Sequence, residues 1–156
     1  MGSMAAHNGT VLVASVSIIQ DGKMLVIREG KPAVRYQWNL PSGRIEPGED
    51  IPDAARREAK EETGYEVELT GTTGIYHFQA ASGAYVILFH FTGEIIGGSL
   101  QLEEGMLDCK WITAADLLAS DCRGYREPAL MKQLCESLLH GKMHSLDLYY
   151  PVIRQA

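Results

Sequence analysis

Short apolar runs dominate the first quarter of the chain, and their spacing predicts strands. Val11 to Ile19 and Met24 to Arg28 are β-favouring segments, separated by Gln20-Asp21-Gly22-Lys23 with its Asp-Gly hairpin signal. Glu29 to Pro41 reads as a loop rich in turn formers and aromatics, followed by a short extended segment at Gly43 to Ile45 and a turn at Glu46-Pro47-Gly48. The pattern then becomes helical. Asp50 is the expected N-cap, Pro52 lies in the first turn where a missing N–H costs little, Asp53 complements the dipole, and Gly64 is a natural stop. Ile51, Ala54, Ala55 and Ala59 give this helix a narrow apolar stripe of mostly small side chains, suited to close approach to a sheet.

Downstream, Val67 to Thr72, Gly74 to Gln79 and Tyr85 to Ile96 read as strands, with Cys109 to Ile112 as a further short one. Thr113 to Ser120 opens on an N-cap and predicts a brief helix. Glu127 to His140 predicts a longer amphipathic one through Leu130, Met131, Leu134, Leu138 and Leu139. Strands, one helix, more strands and then helices predict an α+β fold, a mixed sheet covered by helices.

A chain of 156 residues can close one core without a staple. Residues 9–156 are expected to form that single domain, behind a disordered lead at residues 1–8 in which Met1-Gly2-Ser3 reads as a cloning remnant. The formal charge of −6 argues against a nucleic-acid polymer as partner, because such affinity rests on clustered Lys and Arg. No apolar run is long enough for a bilayer, so no membrane partner is expected. Cys109, Cys122 and Cys135 lack metal or disulfide-framework spacing, which points to a reducing cytoplasmic setting.

The chemistry concentrates between Gly43 and Tyr65, GRIEPGEDIPDAARREAKEETGY. Glu58, Glu61 and Glu62 stand at i, i+3 and i+4, which stacks like charges on one helix face at a cost of a few tenths of a kcal/mol per pair, about. From Arg44 to Glu68 nine acidic residues face four basic ones. Such a segment repels a phosphate substrate unless cations lie between. All the candidate ligands are oxygens, which favours Mg²⁺, with Mn²⁺ as substitute, over zinc. Metal-activated water attacking a diphosphate linkage is the reaction class this donor set serves. A solvated acidic helix with pairs such as Arg57–Glu61 is the plainer alternative for an arbitrary Glu-rich segment.

Gly43, Glu49, Arg57-Glu58, Glu61-Glu62 and Gly64 together match the Nudix box, and the chain resembles a Nudix hydrolase. Ala59 and Tyr65 fill two apolar slots of the box less typically. The resemblance implies a Nudix fold, a curved mixed sheet sandwiched between helices. It also implies hydrolysis of a pyrophosphate linkage in a nucleoside diphosphate-linked small molecule, the alternative being a non-catalytic ligand-sensing or interaction module. By resemblance Glu58, Glu61 and Glu62 are metal ligands, joined by a backbone carbonyl at or just before Gly43. Glu58, Glu61, Arg57 and the loop acid Glu104 are the catalytic candidates, with Glu103 and Asp108 as other loop acids. Arg57 is expected to orient a carboxylate through paired hydrogen bonds, Glu49 or Glu61, with Glu49 in a supporting role. Arg28 corresponds to a phosphate-binding position in relatives, and Tyr36 is the aromatic expected against the substrate; Arg35, Trp38, Tyr76 and His77 are secondary candidates. Asp108-Cys109-Lys110-Trp111 and Thr113 to Leu118 resemble a phosphatase-like branch acting on nucleoside di- and triphosphates and a thiamine-pathway pyrimidine diphosphate. Many members pair as homodimers, which leaves a homodimer open here.

Overall fold

The computed structural model describes residues 9–34 and 36–155; the expected lead at residues 1–8 and the candidate Arg35 lie outside them. Seven strands and three α-helices follow in order: β1 (Thr10–Gln20), β2 (Lys23–Glu29), β3 (Trp38–Asn39), β4 (Ser42–Arg44), α1 (Ile51–Thr63), β5 (Tyr65–Gln79), β6 (Tyr85–Gly98), β7 (Met106–Ile112), α2 (Ala114–Ala119) and α3 (Pro128–Leu139). The sheet is mixed. β1 runs parallel to β6 from Thr10–Tyr85 to Ile18–Gly93, while every other strand-to-strand ladder among the described residues is antiparallel. β1 meets β2 only at Ile19–Met24 and Gln20–Lys23, so the β1–β2 hairpin is the hinge line between two wings. One wing is β4, β1, β6 and β5; the other is β3, β2 and β7.

The small side chains of α1 place it between the wings. Ala54, Ala55 and Ala59 are fully buried against Ala14, Val16, Ile18, Val67, Leu69 and Phe91 of one wing and Leu25 of the other. The opposite face of β2, Met24 and Val26, packs with Leu117, Met131 and Leu134 of the two later helices. Period-two alternation on a buried strand thus feeds two separate cores.

Several expectations are corrected in detail. Val67–Thr72 and Gly74–Gln79 are one long strand, β5, kept continuous across register shifts at Glu66/Val67, Leu69/Gly71 and Thr72/Gly74. The segment read as a loop contains β3, whose two residues pair with Ile27 and Arg28. Asp50 occupies the N-cap position without a side-chain cap; its Oδ1 instead accepts from the Val152 N–H at 2.8 Å, tying the C-terminal segment to the helix entry. Thr113 does cap α2, accepting from the Asp116 N–H at 3.0 Å. Gly64 ends α1 in the left-handed region, and a Cβ there would lie 2.3 Å from the Ser99 carbonyl oxygen.

Candidate active site

The box helix carries its carboxylates to a cleft between the wings. Arg57 is the hub. It forks onto Glu49 with Nε at 2.7 Å and Nη2 at 3.0 Å, donates from Nη1 to Glu58 at 2.8 Å and to Glu61 at 3.3 Å, and reaches the Arg44 carbonyl at 2.9 Å. The paired bonds therefore go to Glu49, which also accepts from the Glu46 N–H at 3.1 Å. The Arg57 guanidinium holds the Glu49 carboxyl below the usual range, and the same contacts keep that guanidinium firmly protonated. The turn at residues 44–49 is thereby locked to the helix.

The three box glutamates differ in environment. The Glu61 side chain is 52% exposed, that of Glu58 only 13%. Glu62 is buried, and its carboxylate accepts from the Ser42 N–H at 3.1 Å. Burial pushes the Glu62 carboxyl up to about 9, with further upward pressure from Glu58, Glu29 and Glu103. Burial also raises Glu58, against the pull of Arg57. Such a shift states the cost of holding these charges without a counterion.

Gly43 lies against this cluster. A Cβ at that position would stand 2.1 Å from the Glu58 carboxyl carbon, so only glycine lets β4 pass this close to the carboxylate. The cleft is further lined by Glu103 and Glu104 from the loop before β7, and by Glu29, Lys31 and Arg44. Oxygen donors and the glycine-sized approach fit a hard divalent cation. Among the described residues no three acidic, His or Cys side chains converge tightly enough to grip an ion as they stand. Glu58 and Glu61 are instead both bonded to the Arg57 guanidinium.

The carboxylate cleft opens into a second cavity of about 330 Å³. Glu29, Lys31, Ser42, Gly43 and Arg44 line both. The second cavity is walled by Val11, Val13 and Leu88 of the sheet on one side and Leu130, Met131 and Leu134 of α3 on the other. The Glu29–Arg126 ion pair, 2.9 Å long, stands where the two spaces join.

Not every expected residue is brought to the cleft. Arg28 lines neither cavity: it lies over the rings of Tyr36 and Trp38, 5.1 and 5.8 Å from their centroids. Tyr36 is drawn away with it, and Lys110 covers Trp38 from 4.2 Å. Leu25, Ile27 and Glu29 share one side of β2 by alternation, and Arg28 takes the other. Glu29 is thus the cleft residue that the sequence reading passed over, and the two-residue period was the signal for it. His77 pairs with the Tyr85 hydroxyl, and Tyr76 donates to Thr73 at 3.0 Å; Phe78 is the β5 side chain that reaches the cavity. Asp108 accepts from the Cys109 N–H at 2.8 Å and stays off the cleft. No helix among the described residues is long and apolar enough to cross a membrane.

The family model of the NUDIX domain matches residues 10–132. A protein of Caenorhabditis elegans named as a nudix hydrolase is 31% identical over 154 residues, covering 94% of this chain and 41% of its own length. The human 8-oxo-dGDP phosphatase NUDT18 is 32% identical over 110 residues, 70% of this chain and 34% of that protein. The chain therefore spans less than half the length of these relatives. Among solved structures, a NUDIX hydrolase from Nitrosomonas europaea superposes with a TM-score of 0.81 at 30% identity, covering 92% of this chain and 97% of that one. With its box helix, its mixed sheet and a domain match across most of its length, the chain belongs to the Nudix family.

Proposed function

We propose that the protein is a divalent-cation-dependent pyrophosphohydrolase of small nucleotides, with purine nucleoside diphosphates as the substrate class. The observation that carries this reading is that the carboxylate cleft shares a rim bearing Lys31 and Arg44 with a partly apolar cavity sized for a planar ring. A nucleoside diphosphate has this same bipartite chemistry. The name of the human relative, an 8-oxo-dGDP phosphatase, agrees with it. Glu58, Glu61 and Glu62 and the Gly43 carbonyl are the proposed ligands of Mg²⁺, or of Mn²⁺ in its place. Bound there, the ion would neutralise diphosphate charge and acidify water.

The remaining roles fall to this chain's own groups. Arg57 holds Glu49 and Glu58 in place; Lys31 and Arg44 take phosphate oxygens. Water adds to one phosphorus, the bridging P–O bond breaks, and the leaving phosphate takes the bridging oxygen. A loop carboxylate receives the proton of the attacking water. Glu103 is the better placed of the two loop acids, since its charge reaches both Glu58 and Glu62, while Glu104 lines the same cleft. A cytoplasmic setting accords with the free thiols Cys109, Cys122 and Cys135.

Phosphate release from a panel of nucleoside di- and triphosphates with Mg²⁺ tests the reading. Turnover that falls by orders of magnitude in Glu62→Gln is expected. Binding of nucleotide with no turnover would favour the non-catalytic module, and equal turnover in wild type and Glu62→Gln would refute the assignment.

A further inference from the structure

Beside its apolar residues the cavity carries polar groups on its sheet side, and Ser15 of β1 is one of them. Alternation along β1 sends Ala14, Val16 and Ile18 beneath α1 and turns Val11, Val13 and Ser15 to the cavity. Ser15 stands opposite His90 in the parallel β1–β6 pairing. Its Oγ is 2.6 Å from His90 Nδ1, and the Ser17 Oγ is 2.9 Å from His90 Nε2. His90 is fully buried and, among the described residues, its ring is bonded to Ser15 and Ser17 and to no charged group, so burial drives its pKa down to about 3 and the ring is neutral. A neutral imidazole has one N–H and one bare nitrogen. The two serines must therefore play opposite parts.

Hydrogen-bond accounting decides which. If Nε2 carried the proton, Ser17 would accept it and its own O–H would be left without an acceptor. Ser17 has 0% exposure and His90 as its hydrogen-bond partner among the described residues, so that donor would be stranded in the core. With the proton on Nδ1, Ser17 donates to Nε2 and Ser15 accepts from Nδ1. The unused O–H then belongs to Ser15. That residue is 3% exposed and is among the residues that line the cavity, which Ser17 is not. The orphan donor is moved to the place where a ligand atom can accept it.

We propose that Ser15 determines base specificity by donating a hydrogen bond to an acceptor atom on the edge of the nucleotide ring, with its polarity set by the Ser17–His90 pair. The inference rests on the reading of the cavity as the base pocket. His90 and Ser17 are positioning residues; Ser15 is the one that would touch substrate. Because a site that offers a buried donor penalises a ring lacking the matching acceptor, loss of that ring atom should matter only while the Ser15 hydroxyl is present.

Two measurements test this. In ¹⁵N-histidine NMR of the wild-type protein, His90 is expected to carry its proton on Nδ1; an Nε2–H ring would overturn the inference. Steady-state kcat/KM is then compared for wild type and Ser15→Ala on dGDP, on its 3-deaza and 7-deaza analogues, and on the 2-aminopurine deoxyriboside diphosphate, which remove N3, N7 and O6 in turn. One of these deletions is expected to cost wild type about tenfold and Ser15→Ala nothing further. Wild type and variant responding alike to every analogue would overturn this inference alone. No turnover by wild type on any nucleotide would overturn the proposed function and this inference with it.

Discussion

Arg57 concentrates more of the site's order than any of the carboxylates it holds. Its planar fork meets Glu49 with two bonds while the same group braces Glu58, which an ammonium cannot reproduce. Arg57→Lys is expected to lower kcat by about a hundredfold, since small misplacements of catalytic groups cost that much. Steady-state kinetics at saturating Mg²⁺ checks it. Glu103→Gln and Glu104→Gln separate the loop acids: the first is expected to lose turnover by at least about a hundredfold, the second by less than about fivefold, in keeping with general-base contributions. The reverse order would move the proton acceptor to Glu104. Arg57, Glu58 and Glu62 were legible in the sequence because a helix fixes their relative positions through a local period. Arg28 lies off both cavities because strand alternation turns it to the other side of β2 from Glu29, which position along the chain alone does not show. Ser15 and His90 were not legible at all, since a parallel pairing across 75 positions brings them together.

The box helix sits where it does because alanines face both wings. Enlarging one of them, Ala55→Leu, is expected to cost about 1–3 kcal/mol through overpacking, which lowers Tm by several degrees in a chain of this size. Differential scanning calorimetry reads it directly. Gly43→Ala addresses β4 in the same spirit. Its new methyl group would collide with the Glu58 carboxylate, so activity is expected to collapse even where circular dichroism shows the fold retained. Element types were readable wherever apolar periodicity ran for several residues, as in β1, α1 and α3. β3 escaped notice because two residues carry no period, and β5 was split because its register shifts interrupt the alternation.

At the scale of the whole molecule, folding must hold carboxylates in a site that disfavours their charge. Glu62 is raised in the folded state, so its favourable contribution is complete below about 4.5 and is lost as pH climbs towards about 9. Glu49 is lowered and acts in the opposite sense, its contribution being lost only as pH falls below the ordinary carboxylate range. The metal-free protein is therefore expected to lose Tm between pH 5.5 and pH 8.5, and Glu62→Gln is expected to flatten that decline. A divalent cation rewards the ionised form, so the Tm gained on adding Mg²⁺ should be larger at pH 8.5 than at pH 5.5. Thermal scans at the two pH values decide the matter. The direct measurement is manganese binding itself, followed by the loss of the free Mn²⁺ electron paramagnetic resonance signal on titration with protein. Wild type is expected to take up Mn²⁺, and Glu58→Gln and Glu62→Gln to bind it at least tenfold more weakly; uptake that is absent, or unchanged in both variants, would contradict the account.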